Sequence, residues 1–140
     1  MLMNLKDSLS DQRRWSDPVV WTNGLFILNA CVWAGVGQIV CAKMMILSGL
    51  VSAFHHRQFE TNDAVNKLDR VFAILALFVT SVTVWELMGI AHWFLALTFL
   101  FVGLYFKRLA KGVHHDYDGF HTCWHICVFG GQLVLASSCL

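Results

Sequence analysis

The sequence is poor in charge and nearly devoid of proline. Asp, Glu, Lys and Arg make up 14% of its 140 residues, where about 25% is usual for a soluble domain. Lys+Arg is 10, Asp+Glu is 9 and the net charge is +1, so there is no basic field to attract nucleic acid. The same shortage, joined to a hydrophobic share of 57%, excludes a disordered chain. With Pro18 alone, no internal repeat and no low-complexity linker, the chain reads as one domain. Cysteine is equally uninformative: Cys31, Cys41, Cys123, Cys127 and Cys139 form an odd set without a Cys-x-x-Cys pair, so neither a disulfide framework nor a zinc ribbon is readable. Four of the five lie in apolar runs, where small, buried packing is the expected role. The first eighteen residues do not read as a signal peptide. Lys6, Asp7, Asp11, Arg13, Arg14 and Asp17 stand where its apolar stretch would be.

What the sequence has instead is long apolar runs. A mean hydropathy of +0.59 exceeds what the core of so small a soluble domain can hide; an integral membrane protein is expected. Val19–His56 is a stretch of 38 residues whose one charge before the histidines is Lys43, and Val71–Phe106 is 36 residues with the one charge Glu86. A single helix of that length would measure about 54 Å against a hydrocarbon core of about 30 Å, so each run should fold as two spans. The first turn is expected at Ala34-Gly35-Val36-Gly37 and the second at Trp85–Gly89, with a fifth span from about Phe120 to Ser138. The expected fold is an all-α transmembrane bundle: an N-terminal segment, 1–18, followed by a single five-span domain, 19–140.

Five spans place residues 1–18 (Lys6, Arg13, Arg14), the second loop (Arg57, Lys67, Arg70) and the loop before span five (Lys107, Arg108, Lys111) on one side, nine of the ten positive charges. Lys43, near the other face, can snorkel. The positive-inside rule makes the crowded side cytoplasmic. Trp15, Trp21, Tyr105 and Tyr117 then mark the cytoplasmic interface, and Trp33, Trp85 and Trp93 the opposite one.

Six of the seven histidines fall on the cytoplasmic side: His55 and His56 at the end of span two, His114 and His115 in the last loop, His121 and His125 at the start of span five. Side chains four apart on a helix point about 40° from one another, so His121 and His125 can bind one metal ion together. Ser52 and His56 share that spacing, and Asp69 stands at the head of span three. This topology brings Ser52, His56, Asp69, His121 and His125 to one depth. Each has a plainer reading: a histidine facing headgroups, an aspartate favouring a helix N-terminus, a serine packing small. His55 also competes with His56, although it points about 100° away and lacks the serine one turn behind.

Taken together, Ser52 and His56 with Phe54 between them, Leu68-Asp69, and His121-Thr-Cys-Trp-His125 resemble the CREST superfamily, which includes alkaline ceramidases, adiponectin/progestin-type receptors, GPI-remodelling hydrolases and myomaker-like proteins. The resemblance implies that His56, His121 and His125 bind a catalytic zinc ion, that Asp69 holds or deprotonates the water at the metal, and that Ser52 positions this water or steadies the oxyanion. It implies a zinc-dependent hydrolase of an amide or ester bond in a membrane lipid, in shortened form: the family has seven spans, and residues 70–120 here hold two. A shortened bundle can complete its lipid pocket as a homo-oligomer, leave it open to the bilayer, or bind metal without turnover. Rival readings are a receptor-like or structural protein stapled by metal, a haem-binding bundle, and a di-iron lipid enzyme drawing also on His55, His114 and His115. The last lacks the His-x-x-His-His boxes such enzymes carry. The topology has a direct check: tags on the two termini should be protected on opposite sides of the membrane, and protection on one side refutes five spans.

Overall fold

The computed structural model describes residues 16–57, 63–112 and 117–140. Every regular element among them is a helix: α1 Pro18–Trp21, α2 Gly24–Gly35, α3 Ile39–Arg57, α4 Asp63–Val84, α5 Ile90–Gly112 and α6 Tyr117–Ser137. The expected all-α fold is the one observed. Lys6, Arg13, Arg14, His114 and His115 lie outside the described residues. Three segments, Pro18–Gly35, Ile39–Arg57 and Ile90–Ala110, are long and apolar enough to cross a membrane. α4 and α6 have comparable lengths of 22 and 21 residues, but one opens on Lys67, Asp69 and Arg70, and the other carries Asp118, two histidines and Gln132.

Both turns fall where the sequence places them. α2 gives way to α3 around Gly37, whose φ of 80° lies in the left-handed region that glycine enters without a Cβ clash. α4 stops at Val84 and α5 starts at Ile90. Elsewhere the chain departs from expectation. The first apolar run is interrupted at Thr22-Asn23, between α1 and α2. α4 begins eight residues before the apolar run at Val71, so Asp69 stands six residues inside the helix and not at its head; the reading of Asp69 as a helix N-terminal residue falls with it. α4 and α5, joined by a short turn, make little contact, and α5 packs on α6 instead.

α6 is the element the others share, since it touches α1, α2, α4 and α5. The interior holds many polar groups: Asn29, Ser48, Ser52, Thr80 and Gln132 are buried with the histidines, beside Phe26, Trp33 and Met45, while Ile74, Phe78, Ile90, Phe94 and Phe101 face outward. Large apolar groups outside and polar groups inside is the order expected where the surrounding solvent is itself apolar. At the end away from the histidines, Trp33 Nε1 donates to Gln132 Oε1 at 3.1 Å and Gln132 Nε2 donates to Thr80 Oγ1 at 3.2 Å. Thr80 in turn donates to the Ala76 carbonyl at 2.8 Å. This chain ties α2, α6 and α4 together. It also corrects the interface role expected of Trp33, which is fully buried, whereas Trp85 is exposed and packs edge-on against Trp93 at 5.0 Å.

α2 and α3 approach closely at Gly49, where an added Cβ would lie 2.8 Å from Phe26 Cβ and 3.2 Å from the Asn23 carbonyl oxygen. Neither atom is the end of a flexible side chain, so a methyl group must push the helices apart. Gly49→Ala should destabilise the folded protein by about 1–3 kcal/mol, the usual cost of overpacking, measured by denaturant titration in detergent. Gly24→Ala, whose Cβ would meet nothing within 4 Å, should shift stability by no more than about 0.5 kcal/mol.

Candidate metal centre

The last turns of α3 and the first turns of α6 meet at the end of the bundle opposite the Trp33–Gln132–Thr80 chain. His56, the residue before the last of α3, and His121 and His125, one turn apart near the start of α6, turn inward and are all buried. Their ring centroids are 4.5 Å apart for His56–His121, 5.1 Å for His56–His125 and 4.9 Å for His121–His125. One ring nitrogen from each lies within 4.8 Å of the other two. An ion bonded tetrahedrally to nitrogens at about 2.0–2.1 Å keeps them about 3.3–3.4 Å apart, so the three donors fall within the range a single ion can draw together. Among the described residues no carboxylate or thiol joins this cluster.

The structure therefore brings together three of the five site residues named from the sequence, and it decides between neighbours. His55 is also buried, with its ring 5.1 Å from that of His56, but it is not part of the cluster. Ser52 is buried one turn back along the helix from His56. Asp69 is half-buried on α4, which packs against α3. Trp124, beside His125, turns away from the centre: its ring takes the Lys107 ammonium at 4.7 Å and fills the gap over Gly103 of α5.

Three neighbours of the centre escape sequence reasoning. Phe26 packs edge-on against His125 with centroids 5.9 Å apart, and Tyr117 lies 5.1 Å from His121. Thr22, fully buried at the break between α1 and α2, places Oγ1 2.9 Å from His125 Nδ1. The one sequence sign of the last is a polar Thr-Asn pair inside an apolar run, one helical turn after the single proline.

Comparisons of the chain with protein-family models, with curated proteins and with solved structures find no match. Purified protein should bind one divalent ion per chain, and His56→Ala, His121→Ala or His125→Ala should each abolish binding while His55→Ala retains it, as read by elemental analysis after dialysis. Loss of the metal with His55→Ala and retention with His56→Ala would assign the site to the wrong histidine.

Proposed function

We propose that the protein is a five-span membrane protein, with its N-terminus cytoplasmic, in which zinc held by His56, His121 and His125 serves the hydrolysis of an amide or ester bond in a membrane lipid. The observation that carries this reading is the buried cluster of three imidazoles, drawn from two helices more than sixty residues apart in sequence. Ionisable groups within a membrane are costly and mark function by default. Three rings in mutual contact suit one small ion better than a macrocycle, which needs a slot between opposed ligands. A zinc ion with three nitrogen ligands supplies Lewis acidity and brings the pKa of water towards about 7.

The chain's own groups complete the chemistry. Ser52 offers a hydroxyl at the depth of the histidines, able to orient water or donate to an oxyanion. Asp69 offers the proton acceptor that amide or ester hydrolysis requires. α3 and α4 run antiparallel, with Cys41 Sγ 3.4 Å from Thr83 Oγ1; pairing 41 with 83 carries position 69 to the level of position 55, beside His56. The centre lies at the end of α3 and the start of α6, where an apolar helix gives way to polar chain. A lipid whose scissile bond sits at the junction of headgroup and acyl chain meets the site at that level. The nine positive charges read from the sequence favour the cytoplasmic side for it.

The alternative is a bundle that uses the ion only as a staple between α3 and α6. The two readings separate in zinc-loaded protein assayed in mixed micelles with amide- and ester-linked lipids. Asp69→Asn should keep its zinc and lose about 10²–10⁴-fold in turnover, the usual contribution of a general base, and Ser52→Ala should keep zinc with a smaller loss. No turnover by the zinc-loaded wild type, or equal turnover in Asp69→Asn, would leave the staple and remove the hydrolase.

A further inference from the structure

We infer that Thr22 is a positioning residue for the metal centre: it holds His125 as the Nδ1–H tautomer, so that Nε2 presents the lone pair to the ion. This rests on the reading of the three histidines as a metal centre, but not on catalysis. Thr22 Oγ1 lies 2.7 Å from the Pro18 carbonyl oxygen and 2.9 Å from His125 Nδ1. A carbonyl oxygen only accepts, so the single hydroxyl proton of Thr22 is committed to Pro18. The contact to the ring then needs a donor on the other side, and that donor is Nδ1–H. A neutral imidazole protonated at Nδ1 has its free lone pair on Nε2.

The break in the first apolar run acquires a purpose from this. Thr22 follows α1, and the Pro18 carbonyl accepts both its backbone N–H, at 3.1 Å, and its hydroxyl. Asn23 Nδ2 donates to the carbonyls of Val19 and Val20 at 2.9 and 3.1 Å, which holds the corner from the other side. Thr22 and His125 are both buried, so water does not compete for the ring N–H. Hydrogen bonds from the second nitrogen of a ligating histidine fix its tautomer and raise its basicity, and their loss costs about 10–100-fold in metal affinity.

The test uses full-length protein in detergent, labelled with ¹⁵N-histidine. In the metal-free wild type, the His125 nitrogens should show the Nδ1–H tautomer, and Thr22→Val should shift the population towards Nε2–H. In zinc titrations against a competing chelator, Thr22→Val should weaken binding about 10–100-fold, and Thr22→Ser, which keeps the hydroxyl, should restore it to within a few-fold of wild type. An Nε2–H tautomer in the wild type overturns the inference, even if Thr22→Val does not fold. So does unchanged zinc affinity in Thr22→Val, or a loss in Thr22→Ser as large as that in Thr22→Val. A wild type that binds no zinc but shows the Nδ1–H tautomer would refute the metal centre and with it Thr22's role towards an ion, leaving only the hydrogen bond.

Discussion

A polar group surrounded by apolar matter must find its partner within the chain, and the architecture follows from that requirement. Helices satisfy the backbone internally. Many large aliphatic and aromatic side chains then face outward, while hydroxyls, amides and imidazoles are buried beside Phe26, Trp33 and Met45. Two layers of these inward groups are in mutual contact. One is the hydrogen-bonded chain of Trp33, Gln132 and Thr80. The other is the cluster of His56, His121 and His125 with Thr22 behind it.

α6 links the layers, because it carries Gln132 in one and two histidines in the other. Phe26 and Trp33 of α2 meet His125 and Gln132 of α6, a constant offset of 99 in sequence that marks two helices running side by side in the same direction. Small residues let the neighbours come close: Gly49 admits Phe26, Gly103 admits Trp124 and Gly130 admits Phe99. A bundle so interlocked holds three imidazoles in contact, with no carboxylate among them in the described residues. Such a set is suited to a cation that keeps its charge available for chemistry, which a ring of carboxylates would neutralise.

The position of the centre has its own meaning. It sits where α3 ends and α6 begins, while Phe26, Ala30 and Met45 belong to the buried apolar core. α5 leans on α6 alone to any extent and presents Phe94, Phe101 and Tyr105 outward. The side chains of one helix thus meet the surroundings nearly all round.

Much of this was determined by the sequence alone. The two apolar runs were too long for one helix each, the turns followed Gly37 and the residues around Glu86, and the four-residue spacing of His121 and His125 set both rings on one helix face. These are local properties, and they survive any packing of the helices. The rotation of each helix about its own axis was decided only in the tertiary structure. Where the surroundings are as apolar as the interior, hydropathy does not tell the inward face of α2 or α3 from the outward one: Phe26, Trp33 and Met45 turn in beside Ser48 and Ser52, while Ile27, Leu47 and Phe54 turn out. That is why the burial of Trp33, the attachment of α5 to α6 and the contact of Thr22 with His125 emerged only from the packed bundle. Asp69 shows the remaining limit: an apolar run marks only the apolar part of a helix, and α4 continues past it because backbone hydrogen bonding does not end where hydrophobicity does.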